Sequence, residues 1–134
     1  MKSRHIRLSV LLPASPGKVF TALTDSRTIS KWSGQKGRVE AKVGGKVEMF
    51  DGWVKGKVTE FKPGRSLAYT WLPGDWPEDS PESVVRYTFG AAKAGTNVTL
   101  VHSNFPNEAQ KKSHKNGWLE FVFAPLKDYL STHH

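Results

Sequence analysis

The stretch that most constrains this chain lies at its C-terminal end. Residues 105–130 read as one long helix, and they follow about a hundred residues of strand-like sequence. On a wheel of about 100° per residue, Trp118, Leu119, Val122, Phe123, Leu126, Tyr129 and Leu130 fall within an arc of roughly 140°. That width suits burial against a sheet rather than a narrow coiled-coil seam, and Phe121 lies outside it. Pro125 cannot donate to the carbonyl of Phe121, so the helix is expected to bend there, with Gly117-Trp118 at its start.

The sequence ahead of this helix supplies the sheet it would cover. Ile6, Leu8, Val10 and Leu12 alternate with less apolar residues, the period of a half-buried strand that ends at Pro13. Ser15-Pro16 starts a helix with Val19, Phe20 and Leu23 on one face, and Asp25 or Ser26 caps a second helix through Ile29 and Trp32 that Gly34 ends. From Gly37 the period returns to two, and Val39, Ala41 and Val43 predict a strand up to the bend at Gly44-Gly45. Asp51-Gly52 predicts a two-residue hairpin turn, because both central positions of a type I′ turn require positive φ. The return strand, 53–61, carries Gly56, which marks a bulge or a close approach. Leu67, Tyr69 and Trp71, then Val85, Tyr87 and Phe89, then Val98, Leu100 and His102 line one face of three further strands. The expected architecture is α+β: a seven-stranded curved antiparallel sheet in the order β-α-α-β6-α, wrapped around the C-terminal helix as a single domain over residues 1–134.

Composition narrows the function classes. A chain of 134 residues with five Trp, seven Phe and three Tyr can build one core. It has no cysteine, which removes disulfides, thiolate metal sites and a cysteine nucleophile. The short apolar run before Pro13 is too small for a membrane span or secretory segment, so a cytoplasmic location is expected. The net charge is +8, but Lys and Arg are spread along the chain. One dense cluster, Lys111, Lys112, His114 and Lys115, reads as a solvated helix face, which argues against a nucleic-acid partner.

No catalytic motif is present: no phosphate loop, no zinc-binding His-Glu-x-x-His, no nucleophile elbow. The scattered histidines offer no metal site, and no cofactor is expected. Asp75, Glu78, Asp79 and Glu82 crowd a proline-rich loop and read as a solvated acidic surface. The candidate ligand-binding residues are therefore aromatic: Trp32, Tyr69, Trp71, Tyr87 and Trp118, with Val122 beside them and His102 in phase beneath the helix. His102 is expected to titrate near neutrality, and its replacement by Ala to cost far less stability than Trp118→Ala.

Several motifs together carry a resemblance over residues 6–130. They are Val19-Phe20-Thr21-Ala22-Leu23-Thr24, Gly44-Gly45-Lys46, Leu67-Ala68-Tyr69-Thr70-Trp71, Thr99-Leu100-Val101-His102-Ser103 and Gly117-Trp118. With them the chain resembles the homologues of the activator of heat-shock protein 90 ATPase, in the START-like (SRPBCC) helix-grip superfamily. The resemblance implies a helix-grip fold, and it implies a non-enzymatic binding module holding a small hydrophobic ligand between sheet and C-terminal helix. It also implies an alternative, a co-chaperone-like domain in the stress response that touches a chaperone through a basic surface and the Trp76 loop. An enzyme of cyclase or hydrolase type using His102 is the third reading. A monomer or a homodimer fits all three.

Overall fold

Local chemistry places the first three elements where the pattern puts them. In the computed structural model, which describes residues 5–76 and 81–132, strand β1 spans Ile6–Leu12 and helix α1 spans Pro16–Thr24. Ser15 caps α1 by accepting from the Lys18 N–H, and Pro16 sits where a missing N–H costs nothing. Helix α2, Ser26–Ser33, is capped by Asp25, whose carboxylate accepts from the backbone N–H and the hydroxyl of Thr28 at 3.0 and 2.7 Å. Those bonds hold the Asp25 carboxyl below its ordinary range. Gly34 ends α2 in the left-handed conformation, φ 74°.

Six strands follow: β2 (Arg38–Val39), β3 (Lys46–Met49), β4 (Val54–Lys62), β5 (Ser66–Pro73), β6 (Ser83–Ala92) and β7 (Gly95–Ser103). All neighbours are antiparallel, in the order β1-β7-β6-β5-β4-β3-β2. The six run as a meander, and the first strand of the chain adds to the edge of the last. The pairs Leu67↔Tyr87↔Leu100 and Tyr69↔Val85↔His102 bring the expected apolar positions side by side on one face.

Two strand expectations are corrected. The strand predicted from Gly37 through Val43 stops at Val39, because the carboxylate of Glu40 accepts the Lys46 N–H at 2.6 Å and closes a turn over residues 41–45. Val43 is left 67% exposed. The hairpin at Asp51-Gly52 is wider than a type I′ turn: Met49 pairs with Val54, and Phe50, Asp51 and Gly52 all have positive φ. Trp53 thereby belongs to the turn rather than the strand.

Gly56 is a close approach. A Cβ there would collide with the backbone carbonyl of Thr70, while the next N–H, of Lys57, bonds to the Thr70 hydroxyl. The bulge lies further along, between Val58 and Glu60. Gly56→Ala is therefore expected to destabilise by ~1–3 kcal/mol, since neither backbone can retreat without breaking the ladder. Urea unfolding checks this, and an unchanged midpoint would mean that β4 and β5 separate there at no cost.

The C-terminal helix is three segments. Helix α3, Glu108–Gly117, is capped by Asn107, which accepts from the Gln110 N–H; a π-helical segment, Trp118–Phe123, follows; helix α4, Ala124–Thr132, completes it. The helix thus begins after Phe105, and Gly117 lies within it rather than at its start. In the π segment the Ala124 N–H reaches back to the Leu119 carbonyl, five residues away. This wide turn ends directly before Pro125, whose ring would crowd the carbonyl of Phe121 in a regular α-helix. The expected break at Pro125 takes this form. Trp118, Val122, Phe123, Leu126 and Leu130 stay buried, but the wide turn moves Leu119, placed in the apolar arc by a uniform 100° wheel, to the surface.

Candidate functional site

The helix and the sheet do not close completely. Phe50 and Trp53 from the β3–β4 turn, Trp71 from β5, Ser113, His114 and Gly117 from α3, and Trp118, Phe121 and Val122 from the π segment surround a recess of about 160 Å³. An adjoining hollow of about 280 Å³, lined by Gln35, Phe50, Trp53 and Phe121, widens its mouth. The turn is held in place from below, because Asp51 accepts the Lys36 N–H at 2.7 Å and donates its own N–H to the Lys36 carbonyl at 2.9 Å. Phe50 adopts φ 54°, a conformation that is costly for an aromatic residue, and its ring stands T-shaped to Trp71, centroids 6.3 Å apart. Trp53 and Phe121 are 44% and 58% exposed, large apolar groups left open to solvent.

Behind the recess lies a chain of buried hydrogen bonds. The Trp118 indole N–H donates to His102 Nδ1 at 3.0 Å. An indole can only donate, so Nδ1 accepts and the single ring proton sits on Nε2, which donates to Ser83 Oγ at 2.8 Å. Ser83 in turn donates to the Trp71 carbonyl at 2.5 Å. The Trp71 indole donates to His114 Nε2 at 3.2 Å, which fixes the other tautomer there, with Nδ1–H bonded to the Gln110 carbonyl at 3.0 Å. Both histidines are neutral. Burial pushes the His102 pKa down to about 2, helped by His114 nearby, and this corrects the near-neutral titration expected of it. His114 is lowered too, chiefly by burial, against the opposing pull of the Gln110 carbonyl and Asp75.

The structure places the sequence-derived candidates in three groups. Trp71, Trp118 and Val122 stand on the wall of the recess. His102 lies behind that wall, fully buried and bonded on both nitrogens. Tyr69 and Tyr87 are sealed in the core with hydroxyls 3.0 Å apart, and burial raises both phenol pKa values. Trp32 is elsewhere: its indole ties α2 to the Ala22 carbonyl of α1 at 2.7 Å. Trp76, expected on an outward loop, is buried against Phe105 and His114. Glu78 and Asp79 of that acidic loop lie outside the described residues. Sequence reasoning did not place Phe50, Trp53 and Phe121 at the site, although a phenylalanine outside a helix's apolar arc was itself a signal.

A curved antiparallel sheet closing on a C-terminal helix, with an aromatic recess at their junction, defines a helix-grip protein. None of the described helices is long and apolar enough to cross a membrane. The chain belongs, within that class, to the family described as Activator of Hsp90 ATPase homolog 1-like protein, whose family model matches residues 13–131. It is 25% identical over 122 residues to the mouse activator of 90 kDa heat shock protein ATPase homolog 1, covering 91% of this chain and 36% of that protein. Mouse homolog 2 is 26% identical, with 93% and 37% covered, so the chain spans about a third of the length of these relatives. Among solved structures, an HSP90 activator from Plasmodium falciparum superposes with a TM-score of 0.85 at 28% identity over 96% of both chains. The Aha1 dimer from Colwellia psychrerythraea superposes at 0.79 with 26% identity, again over 96% of both.

Proposed function

We propose that this chain is a non-enzymatic binding module that holds a small apolar molecule between its sheet and its C-terminal helix. The observation that carries the reading is the aromatic recess at the junction of the β3–β4 turn and the π segment, left open with Trp53 and Phe121 exposed at its edge. Its volume is that of apolar cavities, about 150 Å³, that take a benzene-sized guest. Thermal unfolding with a panel of small aromatic compounds tests it. A compound at a hundred times its Kd is expected to stabilise by ~2.7 kcal/mol, several degrees in Tm. If millimolar aromatics leave Tm unchanged, the recess serves no such ligand.

A second reading is a chaperone-partner domain. It is supported by the names of the relatives, which are activators of a chaperone ATPase, and by the charge of +8. With Trp76 buried, the exposed aromatic contacts available to such a partner are Trp53 and Phe121. Pull-down and ATPase assays with the Hsp90-type chaperone of the same cell discriminate: a salt-sensitive association with a change in ATPase rate supports the reading, and neither one removes it.

A further inference from the structure

The two edges of the sheet are built differently. At one end β2 is two residues long, and the chain turns away from it at Glu40, which also pairs with Arg38 at 3.1 Å. Shortness and charge of that kind keep an edge from pairing further. At the other end β1 runs for seven residues, Ile6–Leu12, in unbroken register with β7. It contains no Lys, Pro or Gly and a single charge, Arg7. No described strand pairs with its far side, so the alternate N–H and C=O groups there have no ladder partner among the described residues. Burial also drops at this edge. Val98 and Leu100 of β7 are fully buried, whereas Val10 and Leu8 opposite them are partly exposed, and Leu11 on the outer face is 44% exposed.

An edge of this kind accepts a further strand, and the strand that fits it is its own copy. Laid antiparallel on a second β1 with Ser9 at the two-fold axis, β1 places Ile6 opposite Leu12, Leu8 opposite Val10, Arg7 opposite Leu11 and Ser9 opposite Ser9. Apolar residues then meet on the core side, the two Arg7 side chains stand apart at the ends of the ladder, and the whole strand pairs. A slip by one residue would set the core side of one copy against the outer side of the other, and a slip by two would shorten the ladder. We propose that β1 is a self-association surface, through which a second copy of this chain adds its own β1 and continues the sheet. The proposal is independent of the recess, whose strand and turn residues come from β5 and the β3–β4 turn. At ~3.4 Å per residue the contact is about 24 Å long, short for a permanent interface, so the dimer is reversible.

The test is sedimentation equilibrium of the full chain at concentrations up to about 1 mM, in physiological salt that screens the net charge of +8 beyond roughly 8 Å. Ser9→Lys and Ser9→Glu are run beside it. Ser9 is exposed on the outer face, so both variants keep the fold, which urea unfolding checks. The expected result is a concentration-dependent dimer of the unaltered chain. Each variant alone sets like charges against each other at the axis and should raise the dimer Kd about fivefold, and an equimolar mixture of the two should recover the dimer. A chain that stays monomeric to about 1 mM overturns the proposal and leaves the edge to an extended segment of another protein. A dimer indifferent to both variants overturns it too, because the contact then lies on another face, such as that of Trp53 and Phe121.

Discussion

Trp118→Ala is expected to destabilise the domain by about 3–5 kcal/mol, the range for truncating a buried aromatic. The loss has two parts. The indole is 3% exposed and packs on Trp71 with centroids 4.9 Å apart, so its removal leaves a cavity. It is also the donor to His102 Nδ1, and truncation leaves that buried acceptor without its partner. Trp118→Phe keeps much of the volume but not the N–H, and it should cost ~1–3 kcal/mol. His102→Ala belongs on the same scale rather than far below it, because it orphans the Trp118 N–H and breaks the link to Ser83. Urea unfolding of the three variants measures this, and a His102→Ala loss below ~1 kcal/mol would show that the chain of bonds is not a structural clasp.

Acid should unfold this protein earlier than its carboxylates alone require. In the unfolded chain His102 binds a proton near pH 6.5, whereas in the folded protein it does so only at about 2. Its folded pKa is depressed, so its contribution is complete above about pH 6.5 and is lost as the pH falls through that window. The slope is ~1.4 kcal/mol per pH unit, or roughly 3 kcal/mol between pH 6.5 and 4.5, and His114 adds in the same direction. Asp25, Glu40 and Glu60 also have lowered carboxyl pKa values, but from ordinary values of 3.8 and 4.5, so they act at lower pH. Unfolding free energy measured from pH 8 to 4.5 should be flat above 7 and then fall, and His102→Gln should reduce the slope by about one proton. A flat profile down to pH 5 would mean that these imidazoles are not held neutral.

The fold was legible where one residue type settles a local conformation. Ser15-Pro16, Asp25 and Gly34 act through their own backbone, and each appears at the expected cap. The face of each long strand was also readable, because a shift by one residue would turn Tyr69, Tyr87 and His102 to solvent. The strand through Val43 was not readable, since its alternation is as good as any and only the Glu40 contact with Lys46 ends it. The π segment has no period of its own in six residues, five of them apolar, and Pro125 marked a break without specifying its form. The same limits apply to the site. Trp71, Trp118 and Val122 were found by phase, but Phe50 and Trp53 reach the recess through a turn of positive φ that Asp51-Gly52 signals only in part. Which histidine nitrogen carries the proton follows from indole donors distant in sequence, and no local pattern encodes that.

The placement of β1 beside β7 has a consequence in time. Ile6 pairs with His102 and Leu12 with Thr96, so the first strand synthesised finds its partner only roughly ninety residues later in the chain. At ~5–20 residues per second, β1 leaves the ribosome on the order of 5 to 20 seconds before β7 exists to receive it. The meander from β2 to β7 can zip hairpin by hairpin meanwhile, each closure short and cheap, but the final edge joins the two ends of the sheet's history. The oldest of the described strands thus has the longest wait for its partner.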